Sequence, residues 1–432
     1  MATDPRAILD SRPMSRFQWG IVAIMVGLNA LDGFDVLSIS FASPGIVKDW
    51  GIDRAALGIV LSMELIGMAL GSLVLGGIAD RIGRRRTILG CLAVMVVGML
   101  GASSAHDVIT LSLWRVLTGL GIGGMLAATN AAVAEASNAS RRSLCVVIMA
   151  GGYPVGAVIG GSISAVLLQH FDWPAVFQFG AFATFCFVPL VWWRAPESIA
   201  FLMARRKPGA LAEINATLVR MGHPSVVALP EVTGGAERVP LAMLFSPGLL
   251  RLTVLLTLAY LAHIMTFYFI LKWIPKIVVD MGFAASSAGF VLVWANVGGA
   301  IGSVTLGLLT AKVRVRTLTI LAMAVSAAMV LLFGRGQADL ATLTLVAAAA
   351  GFFTNAGVVG LYALLAQSFP TEVRATATGF AIGIGRGGSA LAPALAGFLF
   401  AVGYGLQTVA ALMALGSVVG LLALLGLGNK KG

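Results

Sequence analysis

The chain has 432 residues, 59% hydrophobic and only 11% charged, with a formal net charge of +11; soluble globular chains sit near ~45–50% apolar and ~25% charged. Mean hydropathy is +0.96. These values exclude a soluble enzyme and a disordered or nucleic-acid-binding chain, and they leave no room for a large soluble catalytic domain.

Residues 1–18 are polar and carry Arg6, Arg12 and Arg16. The apolar run that follows is too long for the core of a cleaved signal peptide and reads as an uncleaved first span. Twelve apolar runs predict helices at 19–42, 56–80, 87–105, 108–134, 143–168, 174–193, 249–277, 284–311, 315–335, 338–366, 374–402 and 405–428. Backbone exposed to lipid must satisfy its own hydrogen bonds, so helices are the default. A barrel would need period-two alternation, which these runs lack. The expected fold is all-α and integral to the membrane. Residues 194–248 are charged, contain Pro and show a short helical pattern near 209–221. They read as a cytoplasmic linker, a tether without substrate contacts, between an N-terminal six-helix half (1–193) and a C-terminal one (249–432).

An even span count puts both termini on one side, and Lys and Arg choose that side. The tails and even-numbered connections hold 22 basic residues; the opposite side holds Lys48, Arg54, Lys276 and Arg335. Both termini are therefore expected in the cytoplasm, and the net charge is a topology signal rather than a nucleic-acid footprint. Cys91, Cys145 and Cys186 form no CxxC pair, so neither a disulfide frame nor a metal site is expected.

The sequence repeats. Gly67, Gly71, Ser72 and Gly76 recur as Gly298, Gly302, Ser303 and Gly307 at an offset of 231, with Arg81 and Arg85 matching Lys312 and Arg316; Arg142 and Gly151 match Arg374 and Gly383 at an offset of 232. This is a duplicated six-span unit, and parallel repeats place a substrate site between the halves near mid-membrane. The first copy, Gly76-Gly-Ile-Ala-Asp80-Arg81-Ile-Gly83-Arg84-Arg85-Arg86, resembles the signature loop between spans two and three of the major facilitator superfamily. The implied fold is twelve transmembrane helices in two pseudo-symmetric halves. Asp80, ending a helix among basic residues and helix N-termini, is a candidate gate with Arg81, Arg85 and Arg374. Plain anchoring competes for Arg84, Arg85 and Arg86. Ala311 replaces the acid in the second copy, so such a latch is expected to be asymmetric.

Ionisable groups inside spans are costly and are functional candidates by default. They are Asp32, Asp35, Glu64, Arg115, His263 and Arg386; Lys272 lies nearer a span end and is expected to snorkel. Asp32 and Asp35 share a helix face, and two close carboxylates in low dielectric do not both ionise easily. The pair is a candidate proton carrier, with a capped polar pair at a helix break around Gly33 as the alternative. Arg115 needs an anion; Asp32 or Asp35 is the first choice. Arg386 suits a bidentate bond to a substrate carboxylate, or pairing with an internal acid. His263 is either a relay or substrate contact or a packed neutral ring. Glu64 is a further protonatable site or the partner of Arg115. Phe34, Tyr153, Phe267, Tyr268, Trp273, Trp294 and Phe352 are candidate walls for a flat ring, and Asn296 and Asn355 candidate partners of substrate hydroxyls.

Leu31-Asp32-Gly33-Phe34-Asp35 resembles the start of the aromatic acid:proton symporter family. So do Arg115-Val-Leu-Thr-Gly-Leu-Gly-Ile-Gly-Gly124, Gly151-Gly-Tyr-Pro-Val-Gly156, Lys272-Trp-Ile-Pro275 and Arg374-Ala-Thr-Ala-Thr-Gly379 with Gly385-Arg386. The resemblance implies proton-driven uptake of a benzoate-like or hydroxybenzoate-like anion across the bacterial inner membrane. It carries function to Asp32, Asp35, Asp80, Arg81 and Arg386. Glu64 departs from that pattern. No enzyme activity, metal or cofactor is expected; the coupling ion is H+, the partners are a small aromatic acid and the bilayer, and the chain is expected to act as a monomer. A drug- or metabolite-exporting antiporter is the alternative. Its Gly-Pro-x-x-Gly-Gly motif in span five is not matched, because Tyr153-Pro154-Val-Gly156 precedes Gly160-Gly161 at the wrong spacing.

Overall fold

The computed structural model describes residues 4–206, 208–230, 240–337 and 339–427, with the backbone alone at 76, 80, 371, 372 and 375. Among the described residues twelve helices are long and apolar enough to cross a membrane. They are α1 (Arg16–Trp50), α2 (Arg54–Ile82), α3 (Arg84–Ser103), α4 (Val108–Ala136), α5 (Arg142–His170), α6 (Pro174–Arg194), α7 (Leu250–Asp280), α8 (Ala285–Leu309), α9 (Val315–Gly334), α10 (Leu340–Ser368), α11 (Thr371–Ala401) and α12 (Leu406–Gly426). Every predicted span is present. The first is longer than expected: α1 runs on through Pro44 to Gly51, whose left-handed φ of 61° ends it. Large apolar side chains such as Leu73, Val147, Phe182 and Leu345 stay exposed, as a lipid-facing surface requires.

The duplicated glycines do the same work in both halves. A Cβ on Gly67 or Gly71 would lie 2.2 or 2.1 Å from the carbonyl oxygens of Val116 and Leu120 on α4; on Gly298 or Gly302 it would lie 2.0 or 2.2 Å from those of Ala348 and Phe352 on α10. Missing side chains let α2 cross α4, and α8 cross α10, at backbone contact. The repeat read from the sequence is thus a repeat of helix crossings. Two further matched positions cap helices: Asp107 accepts from the Thr110 N–H at 2.9 Å at the start of α4, and Asp339 from the Thr342 N–H at 2.8 Å at the start of α10.

The connection between the halves contains short helices at Ile199–Arg205 and Ala210–Arg220, the second where the pattern near 209–221 predicts it. Ile199, Leu202, Ile214 and Leu218 are buried in a cluster with Met25 and Ile88. This stretch is therefore packed on the N-terminal half. Glu197 goes further. Its Oε1 accepts the Arg84 and Arg85 N–H groups at 2.8 and 3.2 Å, supplying the cap that Gly83 at the start of α3 cannot.

We call the bundle end that carries this connection the linker face, and the other the far face. Polar contacts that cross between the halves include Arg54 with Asp280 at 3.0 Å, Lys272 with Glu64 and the Val36 carbonyl, Arg386 with Met68 and Ser72, and Tyr153 with Tyr268. Toward the far face the seam is tight: a Cβ on Gly58 would lie 2.7 Å from the Pro393 carbonyl oxygen, and one on Gly397 2.5 Å from that of Arg54. Toward the linker face it loosens, and Gly379 and Gly383 on α11 have open space where a side chain would be.

Candidate transport site

Both acids of the first span are fixed by one helix crossing. Gly33, Gly152 and Gly156 bring α1 onto α5, with a Gly33 Cβ position only 1.9 Å from the Tyr153 carbonyl oxygen. The helix is unbroken there, so the alternative of a capped pair at a helix break does not hold. Asp32 and Asp35 are 2% and 0% exposed, and none of their four carboxylate oxygens has a hydrogen-bond partner. Burying unpartnered carboxylates is expensive, which marks this pair as a candidate site. Asp35 Oδ1 lies 3.3 Å from the position of a Cβ on Gly180 of α6, close behind Met99 and Phe34, so the carboxylate packs closely against that helix.

Arg115 is fully buried, but its ion-pair partner is Glu64, not the Asp32 or Asp35 carboxylate expected first. It reaches Asp35 only through that residue's backbone carbonyl, at 3.0 Å. The Phe177 ring, 5.3 Å away, covers its face. The other carboxylate oxygen of Glu64 lies 3.4 Å from Lys272 Nζ, which also donates to the Val36 carbonyl. Lys272 is 0% exposed, so the snorkelling expectation fails. The far-face seam closes over it, and its stem is directed into the other half. One carboxylate on α2 thus binds a guanidinium of its own half and an ammonium of the opposite half.

Arg386 projects from α11 across the same seam. Its Nη1 donates to the Met68 carbonyl at 3.1 Å and to Ser72 Oγ at 2.6 Å. It is partly exposed and lies within electrostatic reach of Asp32 and Tyr268. No acid is within ion-pair distance of it among the described residues. Within the interior the N-terminal half therefore contributes Asp32, Asp35 and Glu64 against Arg115, and the C-terminal half contributes Lys272 and Arg386. Ser72, the repeated serine, is a contact that sequence reasoning did not single out, although its match with Ser303 was the available signal.

Next to these charges lies a small, partly open cleft whose lining includes Tyr153, Phe267, Asn296 and Asn355. The Tyr153 hydroxyl is buried, with the Tyr268 side chain as its polar neighbour; Tyr268 packs edge-on against Phe267. Five expected wall or site residues lie elsewhere. Phe34 packs edge-on against Phe179 inside the N-terminal half. Trp294 is 52% exposed on the outer stripe of α8 with Ile301 and Leu308. Trp273 packs on Phe400 near the far face. His263 is buried with both ring nitrogens engaged, 2.9 Å from Ser417 Oγ and 2.9 Å from the Thr354 carbonyl, so it is the packed histidine and not a relay. Phe352 packs edge-on against its neighbour Phe353.

At the linker face the described contacts of the expected gate residues stay within one half. The side chain of Asp80 lies outside the described residues. Arg81 is exposed, Arg85 donates to the Trp192 carbonyl at 2.5 Å and covers its ring, and Arg374 donates to the Phe369 carbonyl at 3.3 Å. Arg84 pairs with Glu135 at 3.0 Å, and Glu135 in turn accepts from Ser198. Glu135 and Glu197 were not anticipated; nothing local in the sequence pairs them with Arg84 and Arg85. Among the described residues no cluster is suited to a metal ion.

Residues 25–293 and 256–431 match the sequence pattern of the Major Facilitator Superfamily. A gallate transporter of Pseudomonas putida is 30% identical over 432 residues, covering 99% of this chain and 96% of the relative. The 4-hydroxybenzoate transporter PcaK of the same organism is 32% identical over 421 residues, covering 94% and 91%. Among solved structures, the xylose transporter XylE from E. coli in a partially occluded inward open conformation superposes with a TM-score of 0.72 at 16% identity, covering 97% of this chain and 99% of the other; that likeness is one of fold alone. With its repeated six-helix halves, its site at the seam between them and relatives matched over nearly their whole length, this multi-pass membrane protein belongs to the Major Facilitator Superfamily.

Proposed function

We propose that the protein is a symporter that carries a small aromatic carboxylate, of the benzoate or hydroxybenzoate kind, inward with protons by alternating access. Its membrane is the bacterial inner membrane, both termini are cytoplasmic, and one copy of the chain suffices without a cofactor. The observation that carries this reading is the pair of buried, unpartnered carboxylates Asp32 and Asp35, with Arg386 within electrostatic reach of Asp32 across the seam. The relatives named as gallate and 4-hydroxybenzoate transporters support the substrate class, and the excess of basic residues at the linker face supports a cytoplasmic linker.

Charge gives the coupling. The three interior acids and the three interior bases cancel when all are ionised. An incoming carboxylate alone would leave a net negative charge in low dielectric. A proton on Asp32 or Asp35 restores neutrality. Arg386 then exchanges Ser72 and the Met68 carbonyl for the substrate carboxylate, which accepts two parallel N–H bonds. Release of that inter-half contact lets the halves rock. The tight far face and open linker face describe the cytoplasm-facing arm of this cycle.

The test is uptake into proteoliposomes under an imposed pH gradient, with labelled aromatic acids. Native protein concentrates the acid when the outside is acidic. Asp35→Asn loses gradient-driven accumulation. Full, pH-insensitive accumulation by that variant rejects the coupling role, and exclusion of the acid from loaded vesicles favours export.

A further inference from the structure

The cleft between α5, α7, α8 and α10 has no cation in its lining, so it is not where a carboxylate is held. Its polar groups are of another kind. Asn355 uses both N–H groups of its amide inside the protein, on the Gly299 carbonyl at 2.9 Å and on Ser303 Oγ at 2.9 Å. That fixes the amide orientation and leaves the carbonyl oxygen purely as an acceptor. Asn296 uses one N–H on the Leu292 carbonyl at 2.9 Å and keeps one N–H and its oxygen. The third group is the Tyr153 hydroxyl, buried, with the Tyr268 side chain as its polar neighbour. Phe267 supplies a flat apolar wall. Tyr268 links the cleft to the charged end of the site: it meets Tyr153 and lies within electrostatic reach of Arg386.

An acceptor, a group that both donates and accepts, and a buried phenol together match one ligand function. A carboxylate would set its oxygens against the Asn355 oxygen. A bare ring edge would cover three polar groups and pair none of them, which is the costly case. A methyl ether accepts but cannot donate. A phenolic hydroxyl donates to Asn355 and accepts from Asn296 or Tyr153. We propose that this cleft is a subsite for a ring hydroxyl, so that the protein selects aromatic acids bearing a hydroxyl on the ring edge away from the carboxylate and discriminates against unsubstituted benzoate. The proposal rests on the transport reading above, in which Arg386 holds the carboxylate.

Competition for uptake separates the two. In proteoliposomes of the native protein, 4-hydroxybenzoate is expected to compete at least ~10-fold better than benzoate or 4-methoxybenzoate, because a site built to pair a hydroxyl rejects analogues that leave it unpaired. Asn355→Leu and Asn296→Leu each bring the three acids toward parity. Equal competition by all three in the native protein overturns the subsite and leaves the transport reading standing. An undiminished hydroxyl preference in both variants overturns it too. Transport of no aromatic acid by native protein removes both claims. The native panel alone decides the matter if the asparagine variants do not fold.

Discussion

Lys272 of the C-terminal half reaches Glu64 of the N-terminal half, Nζ to Oε2 3.4 Å, and neither side chain has any exposed surface. Glu64 also carries Arg115. The two ends of this triad are therefore not equivalent. Glu64→Gln strands two buried cations, a loss of about 3–5 kcal/mol. Lys272→Met leaves Glu64 and Arg115 as a matched pair and removes only the bond across the seam. Thermal unfolding in detergent is expected to rank Glu64→Gln well below Lys272→Met. The reverse order would mean that Lys272, not Arg115, is the main partner of Glu64.

Arg386→Lys keeps the charge but loses the planar fork. Half-saturating substrate concentration should rise by at least ~10-fold, the loss of one charge-assisted hydrogen bond being worth about 1.5–3 kcal/mol. Initial-rate uptake at graded concentrations measures it. An unchanged concentration dependence would place the carboxylate elsewhere.

Gly33→Ala puts a methyl carbon into the Tyr153 carbonyl, whereas Gly151, two residues before Tyr153 on α5, has open space around it. The first substitution should destabilise by about 1–3 kcal/mol or more. Gly151→Ala should be neutral or slightly stabilising, by up to about 1 kcal/mol of helix propensity. Melting temperatures of the two purified variants give the comparison.

Asp107 and Asp339 sit outside the spans and cap equivalent helices. The Thr110 N–H and hydroxyl hold the Asp107 carboxyl below its ordinary value, and the Thr342 hydroxyl and N–H do the same for Asp339. A carboxyl whose value is depressed on folding binds fewer protons folded than unfolded. Its contribution is thus complete above the unfolded value of about 3.9 and is lost as pH falls through the lower folded value. Asp107→Asn keeps a capping oxygen and should flatten the acid limb of the stability profile, while Asp107→Ala should lower the neutral plateau as well. Unfolding followed from pH 7 down to strongly acid conditions shows both effects.

The spans, the repeat and the acid pair were legible because each is a local pattern: an apolar run, a fixed offset, an i and i+3 spacing. Which way a side chain faces was not. Helices such as α8 are apolar all round, so nothing along the sequence told the Trp294 side from the Asn296 side. The partner of Arg115 depends on how α2 and α4 slide past each other, a register set by Gly67, Gly71 and Gly119 after folding. Lys272 misled for a related reason. Its distance from a span end suggested escape to water, but the opposite half closes that end.

The carboxylate of Glu197, which caps α3 from outside the spans, sets a practical limit on cutting this chain. A split version, expressed as two fragments or rejoined in permuted order, has to break behind Met221, where the segment that clasps α3 has already been completed; a cut at Arg194 would take the foot of the third span away with the wrong piece.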